Sequence, residues 1–186
     1  MVINTEEVGK GEIRCADPAD FKKLYNETML LLFKIAARIV LDDEAAEDLV
    51  HDSYIKANTK KLVFPSMDDA KFWLIRVVKN AALNYAKRKV REKKAYQKAL
   101  REDTRVQTSG ETDLLRADAR KRMNAALEKL PKNMREVLVL REYGDLNYKE
   151  IGKVLGITEG NVKVRMFRAR EQLEKLIGGE ENVYLS

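Results

Sequence analysis

Cysteine and histidine are almost missing from this 186-residue chain, with Cys15 and His51 as single copies. One thiol cannot close an internal disulfide, which fits a reducing cytoplasm. One Cys and one His cannot assemble a Cys/His zinc site within a chain, so neither a metal nor a cofactor is expected. Lying close to the N-terminus, Cys15 reads as a small residue and not as a redox group. Proline and glycine are scarce too, at 3 and 9 residues, while Leu, Ala, Lys, Arg and Glu abound. That balance favours helices over strands. Runs of about 18 apolar residues are absent, and Glu6 and Glu7 stand where a secretory leader would be basic and then apolar. Neither membrane insertion nor secretion is expected, and the localisation implied is cytoplasmic. An apolar content of 45% argues against wholesale disorder.

Charge is unevenly spread. The net charge is only +6, but residues 1–60 carry twelve acids against eight bases, and residues 61–101 twelve bases against three acids. A basic stretch of about forty residues beside an acidic third suggests a polyanion on one surface and a protein partner on another.

Local signals divide the chain. Residues 1–16 lack periodicity and read as a mobile lead-in. Asp17-Pro18 opens a helix, Asp17 as N-cap and Pro18 where a missing N–H costs nothing. Phe21, Leu24, Tyr25, Thr28, Leu32, Ile35 and Ile39 share one face of it, and it ends near Leu41. Asp42 or Asp43 caps a second helix to about Lys60, with Ala46, Leu49, Val50, Tyr54 and Ala57 inward and an acidic outer face. KLVFPSM, residues 61–67, reads as a loop, after which Asp68 or Asp69 caps a third helix. Its FWLIRVV segment is apolar nearly all round and must lie between other helices. Its second half is basic, and residues 87–101 either touch DNA or a protein partner or merely solvate the helix. Residues 102–113, EDTRVQTSGETD, have no apolar face and read as a flexible linker.

Four shorter helical patterns follow. The first, Leu114 to Leu130, turns Leu115, Ala119, Met123, Ala126, Leu127 and Leu130 inward. Pro131 opens the next, which ends at Tyr143-Gly144. Asn147-Tyr148-Lys149-Glu150 has the form of a capping box, and the brief helix it starts closes at Gly156 in a left-handed cap. Thr158 caps a last helix with Val162, Met166, Ala169, Leu173 and Leu176 inward. The fold class is therefore all-α: a helical bundle over 17–101, a linker over 102–113, a helical domain over 114–178 and a tail over 179–186.

Residues 147–172 match the plan of a helix-turn-helix, in which the second helix enters the major groove. Gly160 lets that helix approach a phosphate backbone, and Asn161, Lys163, Arg165 and Arg168 supply donors for phosphates and base edges, beside Val164 and Phe167. Periodicity alone equally allows an ordinary helical hairpin with a solvated face.

The stretch LPKNMREVLVLREYGDLNYKEIGKVLGITEGNVKVRMFRAREQLEKL closely resembles the −35-reading domain of bacterial RNA polymerase sigma factors. Leu130-Pro131, Arg135-Glu136, Gly144-Asp145-Leu146, Leu155-Gly156-Ile157, Gly160-Asn161-Val162-Lys163 and Arg168-Ala169-Arg170 carry the match. Val164 and Asn161 depart from the usual Ser and Thr, which bears on base preference. Independently, Ala46 to Ala57 resembles the family's polymerase-binding helix, and Phe72 to Asn80 with Asn84 to Arg88 resembles its −10-reading helix. The resemblance spans about residues 18–177 and is to the small, extracytoplasmic-function type.

It implies a non-enzymatic protein that binds core polymerase, recognises promoters, opens the strands and starts transcription. Partners so implied are the beta-prime clamp helices and beta flap of core polymerase, promoter DNA and an anti-sigma factor. The polymerase face would hold Glu47, Asp48, His51 and Asp52, with His51 a surface hydrogen-bonder more than a pH switch. Strand opening needs stacked bases and a basic rim along the backbone. Lys61, Arg76, Lys79, Lys87 and Arg88 would form the rim, Asn80 and Asn84 would meet the −10 element, and the loop around Phe64 would accept a flipped base. Trp73, inside FWLIRVV, suits core packing better than stacking. The −35 set would be Thr158, Gly160, Asn161, Lys163, Val164, Arg165, Phe167 and Arg168. A stand-alone helix-turn-helix regulator is the competing reading, though it needs neither a polymerase-binding nor a strand-opening block. A DNA-processing enzyme would need a nucleophile or metal-binding carboxylates in a cleft, for which the outward acids give no sign.

Overall fold

The structure, a computed structural model, describes residues 11–100, 125–127 and 129–181. Helix α1 (Pro18–Val40) starts where Asp17 Oδ1 accepts the N–H groups of Ala19 and Asp20 at 2.9 and 3.0 Å, with Pro18 in the first turn. The carboxylate satisfies donors that the first turn leaves orphaned, and proline has none to lose. Leu41, at φ 59°, ends α1, and Asp42 accepts from the Ala45 N–H at 3.1 Å to open α2 (Asp43–Thr59).

Helix α3 (Met67–Leu100) begins earlier than the sequence predicts. Ser66, not Asp68 or Asp69, is the capping side chain: its hydroxyl accepts the Asp69 N–H at 3.2 Å and donates to the Asp69 carboxylate at 2.7 Å. Both acids thereby fall inside the first turn, where the helix dipole favours them. Helices α1, α2 and α3 enclose Leu24, Leu32, Ile35, Val50, Leu74, Ile75 and Val78, all wholly buried.

Residues 11–16 are not a mobile lead-in. Ile13–Arg14 (β1) pairs antiparallel with Val63–Phe64 (β2), Ile13 opposite Phe64. Ile13 and Cys15 are buried, the Cys15 N–H donates to the Leu62 carbonyl at 2.8 Å, and Asn58 Nδ2 donates to the Cys15 carbonyl at 2.8 Å. Two residues per strand are too few to show a period of two, which is why the segment reads as structureless. This ribbon is a small addition to an otherwise helical molecule.

The expected linker at 102–113 and the start of the following helix, 114–124, lie outside the described residues, as does the chain before Gly11. Ala126, Leu127 and Leu130 are buried as their spacing predicts. Helix α4 (Lys132–Glu142) follows Pro131, α5 (Tyr148–Leu155) follows Asn147, and α6 (Glu159–Glu181) completes the domain. The capping box forms in both directions: Glu150 N–H to Asn147 Oδ1 at 3.0 Å, and Asn147 N–H to the Glu150 carboxylate at 2.7 Å. Gly156 takes the left-handed cap at φ 69°. Residues 179–181 continue α6 and so are not tail.

Candidate nucleic-acid interface

Helix α6 is held against α4 and α5 by Val162, Met166 and Ala169, all buried, which turns its opposite side to solvent. Thr158, Gly160, Asn161, Lys163, Val164, Phe167 and Arg168 are exposed and Arg165 half-buried, so the sequence's −35 set comes together on one helix. Thr158 Oγ1 accepts the Asn161 N–H at 3.3 Å, and Lys163 pairs with Glu159 at 2.8 Å. That partner holds the Lys163 ammonium above its ordinary pKa. Phe167 is 72% exposed and Val164 48%, an apolar pair amid the donors. A Cβ on Gly160 would meet only Thr158 Oγ1, at 4.0 Å, so nothing inside the chain demands glycine there. Gly152 is the opposite case: a Cβ would come within 2.7 Å of the Ile157 carbonyl oxygen. The turn between α5 and α6 closes only because that Cβ is missing, a requirement the sequence reading passed over.

On the first domain, Glu47, Asp48, His51 and Asp52 are all exposed on α2. Asp48 and Asp52 line a groove with Asp42, Glu44, Asn84 and Arg88, between α2 and α3. Lys89 crosses it to Asp42 at 2.9 Å. The Lys89 hydrogen bond, then that from the Ala45 N–H, holds the Asp42 carboxyl below its usual range.

The −10 set divides. Lys61, Asn80, Asn84, Lys87 and Arg88 are exposed. The Phe64 ring is not open to a flipped base: it is buried, on a residue paired with Ile13 of β1, with its centroid 5.6 Å from that of Trp73. Trp73 packs on the core, as its neighbours in FWLIRVV predict. Lys79 is not a solvated rim cation in this arrangement. It is 5% exposed and ion-paired to Glu136 of α4 at 3.0 Å. Arg76 stays exposed, but its Nε donates to the Val154 carbonyl and a terminal nitrogen to the Lys153 carbonyl, both at 2.9 Å. Sequence reasoning missed this contact between the two domains. Its one local hint is that Lys79 directly follows the all-round apolar segment.

Two helical domains, the second built around a helix-turn-helix, have the architecture of a DNA-binding protein. Residues 24–92 match the model for Sigma-70 region 2, and residues 120–173 that for Sigma-70, region 4. The chain is 31% identical over 142 residues to the RNA polymerase sigma factor CarQ of Myxococcus xanthus, covering 76% of this chain and 80% of that one. Against the ECF RNA polymerase sigma factor SigM of Bacillus subtilis (strain 168) it is 26% identical over 156 residues, 83% of this chain and 93% of the relative. The fold is similar to the sigma factor RpoE in complex with the anti-sigma factor NepR from Bartonella quintana, with TM-score 0.58 at 24% identity, covering 86% of this chain and 97% of that one. The chain belongs to the sigma-70 family of RNA polymerase sigma factors, of the ECF type. As a member it is an RNA polymerase-binding factor for transcription initiation. Among the described residues, no helix is long and apolar enough to cross a membrane.

Proposed function

We propose that the chain docks on core RNA polymerase through Glu47, Asp48, His51 and Asp52 and reads the −35 duplex with α6. In this reading α3 engages the opening −10 region through Asn80, Asn84, Lys87 and Arg88, joined by Lys61 and by Arg76 and Lys79 when these are free. It has no catalytic chemistry of its own, works in the cytoplasm, and is restrained by an anti-sigma factor.

The outward side of α6 carries the proposal. A solvated hairpin has no reason to hold Phe167 at 72% exposure and Val164 at 48% among Asn161, Lys163 and Arg168. A major-groove helix does, because thymine methyls accept apolar contacts while donors reach phosphates and base edges. The acidic side of α2 suits a basic protein surface and would repel DNA, so duplex affinity should depend on polymerase. Footprinting on genomic fragments tests this: tight, selective protection is expected only when core polymerase is present. Equal footprints without it would favour a stand-alone regulator.

A further inference from the structure

Alternation along the short β1–β2 ribbon sorts its side chains by face. Ile13, Cys15 and Phe64 turn inward and are buried, while Arg14 and its cross-strand partner Val63 turn out. Val63 is 52% exposed, and Lys61, two residues before it, is exposed as well. Asn58 ties this arrangement together. Its backbone carbonyl accepts the Lys61 N–H at 2.8 Å, and its side-chain amide donates to the Cys15 carbonyl at 2.8 Å. The turn holds Lys61 at φ 49°, a left-handed conformation that a residue with a Cβ keeps only where its surroundings fix it. From the other strand, the Cys15 N–H donates to the Leu62 carbonyl at 2.8 Å. Phe64 carries the ribbon onto α3 through its ring contact with Trp73. Arg14 is anchored by its own N–H, which donates to the Asp20 carboxylate at 3.0 Å. Its guanidinium pairs with Glu12 at 3.1 Å, with the Arg14 side chain 50% exposed. So open an ion pair is worth little, and a phosphate can replace Glu12 at small cost.

We propose that β1 is part of the surface that receives the unpaired −10 strand, with Arg14 as a phosphate contact and Asn58 as the residue that positions it beside Lys61. The proposal rests on the assignment of Lys61 and α3 to the −10 region. Single strands bind where cations follow the backbone, and Arg14 extends the line that Lys61 begins. Two strands of two residues are too short to be stable alone. The buried side chains of Ile13 and Cys15 and the Asn58 hydrogen bond are what keep Arg14 in place. A loop already fixed has less order to lose on contact. Loosening β1 therefore weakens the strand contact even where no contacting side chain is changed.

The full chain is assembled with core polymerase and given one footprinted promoter fragment, either as duplex or with its −10 region held unpaired by mismatches. Arg14→Ala should lower affinity for the unpaired form by up to about fivefold, the yield of one exposed ion pair. The salt slope should fall by about 0.7. Arg14→Lys should restore both, because a point charge suffices for a phosphate. Asn58→Ala removes the donor without adding charge and should weaken the same form. In the double variant the two losses should be less than additive, since both act on one contact. Affinity for core polymerase alone should stay at the wild-type level throughout. Exposed Lys34, about 24 Å along α1 from its first residue, controls for a lost cation. An equal loss in Lys34→Ala, an unchanged salt slope in Arg14→Ala, no rescue by Arg14→Lys, or a fall in core affinity would each overturn the proposal. Wild-type or fully additive behaviour of Asn58→Ala would remove its positioning role; should that variant fail to fold, by circular dichroism, the Arg14 pair carries the test. The underlying assignment is read by permanganate reactivity of unpaired thymines in Asn80→Ala with Asn84→Ala. Wild-type opening there moves the −10 surface off α3, whereas a defect there beside wild-type Arg14→Ala sinks the role of β1 alone.

Discussion

The Tyr54 phenol lies 2.6 Å from Thr28 Oγ1 and joins α2 to α1 inside the core. Thr28 already gives its one proton to the Leu24 carbonyl at 2.6 Å, so the phenol is the donor between the two. Burial, the largest cause, pushes the Tyr54 pKa up to about 12.

A pH dependence follows. The unfolded phenol titrates near 10. The folded chain keeps its proton to about 12, so this contribution is complete below about pH 10 and lost as pH rises through that window, by up to about 2–3 kcal/mol. Urea midpoints followed from about pH 8 to 12 should fall faster for wild type than for Tyr54→Phe. At neutral pH the variant should lose about 1 kcal/mol with the hydrogen bond. Parallel pH profiles would assign the alkaline loss to other groups.

Asp48→Arg with Asp52→Arg should abolish binding to core polymerase while leaving the unfolding midpoint near wild type. Both side chains are exposed, and neither makes a described ion pair; surface changes of this kind alter stability little. Affinity is read by pull-down or interferometry, stability by thermal melting. Wild-type affinity in the double variant would move the polymerase surface elsewhere.

On α6, Lys163→Ala and Arg168→Ala should both weaken duplex binding by the polymerase complex. A residue that only meets phosphate lowers affinity on all sequences and reduces the salt slope by about one, whereas a base contact relaxes preference at one position. Titrations at several salt concentrations on single-substituted sites separate the two. Lys163, already paired to Glu159, is expected to behave as the phosphate contact.

Gly152→Val should cost about 1–3 kcal/mol, because the new side chain must displace backbone rather than a flexible tip. The obstruction is the Ile157 carbonyl oxygen, 2.7 Å from the position of a Cβ. Duplex binding should be lost while polymerase binding through α2 is kept. Undiminished melting temperature and duplex affinity together would refute the close approach.

What was legible in the sequence was local. Asp17, Asn147 with Glu150, and Gly156 each act within four residues of themselves, and the Val162, Met166 and Ala169 stripe repeats on one helix. Contacts across long stretches of chain left no such mark. Phe64 looks like a loop aromatic until β1 pairs with it from fifty residues upstream. Lys79 looks like one more rim cation until Glu136 arrives, 57 residues on. Ser66 was hidden by the two acids behind it, which are equally good caps by type.

The chain's one thiol sits where β1 meets the start of the bundle. Cys15 is wholly buried, and that burial, with the charge of Asp20 second, pushes its pKa up. Alkylating reagents attack the thiolate, so a covered and protonated sulfur reacts only in molecules whose N-terminal ribbon has lifted. Its labelling rate, followed by mass, is a built-in clock for that local opening, independent of global unfolding. Anything that presses on the segment at 61–66 will slow the clock, and no foreign probe needs to be introduced to read it.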